Sequence, residues 1–235
     1  MGTAQEYRTH VTDVVHQSPR AVSVRFERPP GFSYLAGQFM FIELKAGMET
    51  LTRHLTISSS PTEPFLEVTK GLTGHPFADA LTALVPGDEA TIRGPSGSFT
   101  LDARDEDVVF ISGGIGVTPL RSMARYAADT RLLIRITLLY SARAEEEILF
   151  GEEFDELQRT NPLFSAHVTV TQPAPGWTGH VGRIDRAFVE KEVPDVRGRG
   201  FYVSGPAAMV DAMLAILREI GVPDDRVRHE YFPGY

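Results

Sequence analysis

The sequence predicts a two-domain chain, an N-terminal antiparallel β-barrel followed by a C-terminal α/β unit on a mainly parallel sheet. Up to about residue 103, β-branched and aromatic segments recur at short spacing between Gly/Pro turns. Beyond it, apolar strands alternate with helix-like stretches, the pattern of βαβ units. The switch falls in the charged stretch 102–106, which sets the expected domains at 1–103 and 104–235. At 42% hydrophobic and 23% charged residues the composition is that of a packed globular chain and excludes general disorder.

Taken in order, residues 11–15 and 21–26 are β-branched runs split by the Gln17-Ser18-Pro19 turn cluster. Strand signals continue at 38–44, 55–57, 66–69 and 90–92, with one short helix at 76–84. In the second half, strands are expected at 108–112, 132–140, 166–171 and 201–204, with helices at 119–128 and 147–158. The last helix is set by Met209, Met213, Ile216, Leu217 and Ile220 at helical spacing, and Gly221 and Pro223 stop it.

Several classes of function are excluded. A net charge of −8 argues against sequence-independent nucleic-acid binding, which needs a basic surface. With no Cys, there are no disulfides, zinc–thiolate sites, Cys-ligated iron–sulfur clusters or thiol catalysis. The His residues form no i, i+4 pair, so no metal site is expected. The polar start 1–10 lacks a signal-peptide core, and the longest charge-free run, 160–182, contains Pro162, Pro173 and Pro175. A soluble, cytoplasmic protein with no transmembrane segment is therefore expected. The sequence leaves oligomeric state open.

The strongest motif is Gly113-Gly-Ile-Gly-Val-Thr-Pro119, an apolar strand running into glycines and then a helix, with Thr118 as expected N-cap. Glycines let backbone N–H groups approach a ligand, and a helix N-terminus favours an anion such as pyrophosphate. Ser204-Gly205-Pro206 ends a second strand before a helix, where open α/β sheets place ligands. In the first half, Arg53 to Thr56 offers a guanidinium and a hydroxyl for a phosphate and a polar ring edge. Each motif alone also suits an ordinary turn or strand.

In sequence order these motifs resemble the ferredoxin–NADP+ reductase superfamily over nearly the whole chain. The run is Gly37-Gln38-Phe39, Arg53 to Thr56, Pro86-Gly87-Asp88, Gly94 to Phe99, Gly113 to Pro119, Ser204 to Pro206 and Glu230-Tyr231-Phe232. The resemblance implies a flavin-binding barrel and a pyridine-nucleotide domain. It assigns Arg53 to the FAD phosphates, Thr56 to flavin N5 and Leu55 to a flavin face where the family carries an aromatic. It puts His54, Val68, Thr69, Lys70, Phe77 and Ala78 around the flavin, Ala78 standing where Ser or Thr is common. It gives Gly114, Gly116, Val117 and Thr118 the NAD(P)H pyrophosphate, and Ser204, Gly205 and Pro206 the nicotinamide side; Ser204 replaces a frequent Cys. Ser141 and Arg143 suit a 2′-phosphate, so NADPH is expected, with NADH the alternative. At the tail, Phe232 stacks on the flavin, with terminal Tyr235 its rival, and Glu230 orients groups near N5 or relays a proton. The loop 177–183 (WTGHVGR) also resembles the family, although Trp177 reads as packing.

The implied function is an FAD-dependent NAD(P)H oxidoreductase with Thr56, Ser204, Glu230 and Phe232 at the reacting centre. It would pass single electrons to a separate acceptor, a small redox protein such as ferredoxin, flavodoxin or a haem protein. The alternatives are direct reduction of small acceptors, and a non-catalytic component of a larger redox complex. Arg121, Arg125, Arg131 and Arg135 are an expected local basic patch for docking the acceptor.

Overall fold

The computed structural model describes residues 5–102 and 104–232. The first sheet is antiparallel and contains β1 (Gln5–Ser18), β2 (Ala21–Glu27), β3 (Phe39–Ala46), β4 (Glu49–Thr56), β5 (Phe65–Gly71) and β6 (Glu89–Ser96). Its order is β4-β3-β6-β1-β2-β5. Side chains alternate across each strand, so Val24, Phe26, Met40, Ile42, Leu66, Val68 and Ile92 turn inward and are fully buried. The sheet curls until Ile57, just past β4, bridges Val68 on β5; one bridge rather than a ladder joins its edges. Helix α1 (Pro76–Thr82) sends Phe77 and Leu81 into that core.

The second sheet is parallel throughout. It contains β7 (Asp107–Gly113), β8 (Arg135–Ala142), β9 (Phe164–Val170), β10 (His180–Val181), β11 (Gly200–Pro206) and β12 (Val227–Phe232). The order is β10-β9-β8-β7-β11-β12. Helices α2 (Val117–Asp129) and α3 (Gly151–Thr160) cover one face, where Val108, Phe110, Ile136 and Leu138 pack with Leu120 and Phe154. Helices α4 (Arg186–Glu192) and α5 (Ala207–Glu219) cover the other, against Val109, Ile111 and Val203. Burial on both faces accounts for the unbroken apolar runs of β7 and β11.

Several elements differ from expectation: β4 starts six residues before the expected 55–57, α3 starts at Gly151 rather than 147, and β10 was not expected. The strand expected from residue 132 begins at Arg135, because Arg131 takes a positive φ of 54° and leaves Leu133 in solvent. Helix α4 has only Val189 buried, too little for an apolar period, and is started by the Asp185 carboxylate accepting from the Phe188 amide at 2.8 Å. Residues 227–232, for which no strand was expected, form β12, a ladder strand beside β11.

The two sheets share packing. Ala21, Ala36 and Phe99 belong to the same apolar cluster as Leu120, Met123 and Tyr202. Gly37, at φ +98°, is required here, since a Cβ would lie 2.1 Å from the Phe99 carbonyl oxygen and 2.3 Å from Met123 Cε. The connection beyond β6 is also pinned, the Tyr202 hydroxyl accepting from the Asp102 amide and from Arg228 Nη1, each at 2.9 Å.

Candidate functional site

Strand order reverses between β7 and β11, with β8 to β10 stacked outward from one and β12 from the other. A crevice opens at such a point beyond the C-terminal strand ends. β7 ends at Gly113, the turn Gly114–Gly116 follows, and α2 starts at Val117, so Thr118 lies within the helix rather than at its N-cap. The Thr118 hydroxyl instead donates to the Ile115 carbonyl at 3.1 Å. Ser204, fully buried, donates its hydroxyl to the Gly116 carbonyl at 2.7 Å and so ties the two motif loops together. That approach requires glycine, because a Cβ on Gly116 would stand 2.5 Å from the Ser204 carbonyl oxygen and from the Gly205 Cα. Gly114, by contrast, faces open space at φ +54°.

The crevice holds a cavity of about 390 Å³ lined by Gly113, Gly114, Ser141, Arg143, Pro206 and Met209. Glu147, Thr171 and Arg183 also line it, and sequence reasoning assigned none of them to the nucleotide. Arg183 closes the 177–183 loop; Trp177 in that loop packs as expected, its indole nitrogen donating to the His180 carbonyl at 2.9 Å. Arg143 Nε donates to Gln172 Oε1 at 3.0 Å. Glu147 approaches Arg20 of the barrel hairpin to 3.6 Å. Only folding through a 3₁₀ turn at Glu145–Glu147 brings that carboxylate round to the crevice.

On the barrel, Arg53, Lys70, Leu51, His75, Phe77 and Ala78 line a smaller notch of about 140 Å³, with one carboxylate, Glu49, at its wall. Lys70 has its pKa lowered by burial and then by the Arg53 charge, so two cations converge at the start of α1, whose first turn no side chain caps. That set fits a phosphate group. Leu55 and Thr56 are buried at the end of β4. His54 alternates with Leu55 along β4, its ring 5.2 Å from Phe39 and 5.9 Å from Phe41. Val68 lies in the barrel core, and the Thr69 hydroxyl is 2.7 Å from Ser23 and 3.1 Å from Ser58, so both side chains are engaged inside the barrel.

Along β12, Glu230 pairs with Ser204 and Phe232 with Pro206. Glu230 Oε2 is buried without a partner, and burial pushes this carboxyl up to about 7. An orphaned buried oxygen beside the nucleotide loops fits a bound polar ring edge. Phe232 is half-buried, and Tyr235 lies outside the described residues. Of the expected basic patch, Arg121 is buried between the sheets and is no docking residue, and Arg125 pairs with Asp129 at 2.9 Å; Arg131 and Arg135 stay exposed, Arg135 lying 3.7 Å from Asp107. Among the described residues no group of three or more His, Cys, Asp or Glu could hold a metal ion, and no helix is long and apolar enough to cross a membrane.

This barrel joined to a parallel sheet with a glycine crevice defines the class of flavin- and pyridine-nucleotide-binding reductase folds. Residues 110–214 match the oxidoreductase NAD-binding domain family. The chain is 37% identical over 161 residues to a component of the Na(+)-translocating NADH-quinone reductase of Klebsiella pneumoniae, a match covering 65% of this chain and 39% of that protein. It is 31% identical over 212 residues to the glycine betaine monooxygenase reductase subunit of Pseudomonas aeruginosa, covering 88% and 58%. The flavohem-like FAD/NAD-binding domain of nitric oxide dioxygenase from Vibrio cholerae superposes with a TM-score of 0.88 at 21% identity, covering 97% of this chain and 99% of that one. Residues 110–214 thus form an oxidoreductase NAD-binding domain, and the chain as a whole has the two-domain fold of ferredoxin–NADP+ reductase-like FAD/NAD-binding proteins. It spans 39% and 58% of the length of the two curated relatives.

Proposed function

We propose that this chain is an FAD-dependent reductase that takes hydride from NADPH and delivers single electrons to a separate acceptor. The observation that carries it is the pairing of two sites across one junction: the Arg53–Lys70 notch on the barrel and the open Gly114 turn on the parallel sheet, where β5 touches the 114–116 turn. When bound, the flavin supplies two-electron acceptance of hydride, from nicotinamide C4 to N5, and one-electron release.

The residues divide the work of binding and orientation. Arg53 and Lys70, with the first turn of α1 at Phe77 and Ala78, hold the FAD phosphates; residues 68–70 border it through backbone. Leu55 gives one ring face an aliphatic contact, and the Thr56 hydroxyl sits at the reacting edge. The 114–118 backbone holds the NADPH pyrophosphate. Ser204 acts by fixing Gly116, and Gly205 and Pro206 flank the nicotinamide. Phe232 covers the ring, while Glu230 holds a proton near neutrality beside it. Arg143, Arg183 and Ser141 receive the 2′-phosphate; Arg20 partly neutralises Glu147, which would otherwise repel it. The working units in this reading are the barrel, 1–103, and the nucleotide domain, 104–235. A separate acceptor is supported by the relative that is the reductase subunit of a monooxygenase.

The test is visible absorbance of the purified protein before and after anaerobic NADPH, repeated with NADH. A flavin spectrum bleached faster by NADPH supports the reading. A flavin that neither nucleotide bleaches, or a protein that cannot be reconstituted with FAD, overturns it.

A further inference from the structure

Helix α2 carries more than the nucleotide turn. One turn after its start, roughly 6 Å along the axis, Arg121 and Ser122 reach into the barrel. The Arg121 side chain is 5% exposed. Its Nη1 donates to the Ser58 carbonyl at 2.9 Å and to Glu63 Oε2, and Nη2 donates to Glu63 Oε1 at 3.1 Å. On the far side, Nε donates to Glu153 Oε2 of α3 at 2.9 Å. The Ser122 hydroxyl donates to the Ser59 carbonyl at 2.5 Å, and Glu63 Oε2 also accepts from the Ser60 amide at 2.6 Å. Ser58, Ser59 and Ser60 are fully buried and begin two residues after Thr56.

We infer that Arg121, with Ser122, is a positioning residue that fixes the distance between the hydride donor and the flavin edge. The inference rests on the proposed reductase reading for the reaction, and adds to it the element that registers one site against the other. A single rigid helix presents the nucleotide turn at its N-terminus and grips, one turn later, the segment continuous with Thr56. Hydride transfer depends steeply on donor–acceptor separation, so a slack grip slows the chemical step without weakening either ligand. The planar guanidinium suits this role, because one fork reaches a carbonyl, Glu63 and Glu153 at fixed angles, which a single ammonium cannot do. The grip is also directional. Apolar interfaces tolerate small sliding, whereas carbonyls held by two donors on one helix set both translation and rotation.

The variant Arg121→Lys keeps the charge and loses the fork. Flavin reduction at saturating NADPH is expected to slow at least tenfold, with a larger isotope effect from C4-deuterated NADPH. KM for NADPH and FAD content should stay within twofold of wild type. Independently of activity, amide exchange in 57–63 should accelerate while strands β1 to β3 exchange as in wild type. Wild-type rate and isotope effect in the flavin-loaded variant overturn the inference, as does a slowing that merely tracks lost FAD. Should Arg121→Lys not fold, Ser122→Ala carries the test: about threefold slower reduction and faster exchange in 57–63 support the grip, and no change in both overturns it. Should neither nucleotide reduce the wild-type flavin, the reductase reading has failed by itself, and unchanged exchange at 57–63 then overturns the grip separately.

Discussion

The hydroxyl of Ser204 and the carbonyl of Gly116 meet at 2.7 Å inside the molecule, and this one bond joins the two loops that shape the nucleotide crevice. Ser204→Ala leaves the carbonyl buried without its donor, a loss of about 1–2 kcal/mol. The expected outcome is a KM for NADPH raised several-fold with FAD content unchanged, measured by steady-state kinetics and flavin absorbance on the same preparation. An unchanged KM would detach the Ser204 bond from nucleotide binding.

Arg53 is expected to dominate FAD retention. Charge-assisted bonds to phosphate are the strong kind, so Arg53→Ala should weaken FAD binding by at least about tenfold, some 1.4 kcal/mol or more. Arg53→Lys should fall between, having charge without the fork. Fluorescence titration of apoprotein with FAD checks this, and equal affinities for all three proteins would move the phosphates elsewhere.

The two glycines of the nucleotide turn should respond differently to the same methyl group. Gly116→Ala drives a Cβ to 2.5 Å from backbone atoms of Ser204 and Gly205, so the loops must separate and nucleotide binding should be lost. Gly114→Ala meets nothing within 4 Å and incurs mainly the left-handed φ penalty, about 1 kcal/mol. Isothermal titration with NADP+ and thermal melts of both variants distinguish the effects.

Glu230 gives the stability a pH dependence of known sign. Between the ordinary 4.5 and about 7, the folded protein holds a proton that the unfolded chain has released. Stability of the apoprotein therefore falls as pH rises through that window, by roughly 3 kcal/mol, and levels above it. In Glu230→Gln this component of the slope disappears. Denaturant melts at pH 5, 6, 7 and 8 compare the two; parallel curves would mean the carboxyl titrates normally.

Most of the fold was legible because its strands are buried on a fixed period. Val108 to Ile111 could be read as a covered strand, and Met209 to Ile220 as a helix, from side-chain spacing alone. β12 was not, since an edge strand with one face half exposed mixes Arg228, His229 and Glu230 among its apolar residues. The glycine and serine loops announce a crevice by their need for close backbone approach. The residues that escaped, Glu147 and Arg183, are ordinary charges in sequence and acquire meaning only when 3₁₀ and loop geometry turn them inward. Arg121 was misread for the converse reason: a charge at an exposed-looking helical position is drawn under cover by Glu63 and Glu153, which lie far from it along the chain.

Phe99, Ala21 and Ala36 lie in one apolar cluster with Leu120, Met123 and Tyr202. The sequence divides near residue 103, but the packing does not divide there. Along that face the two halves share one interior, so a chain cut between them would leave both with an uncovered, sticky side.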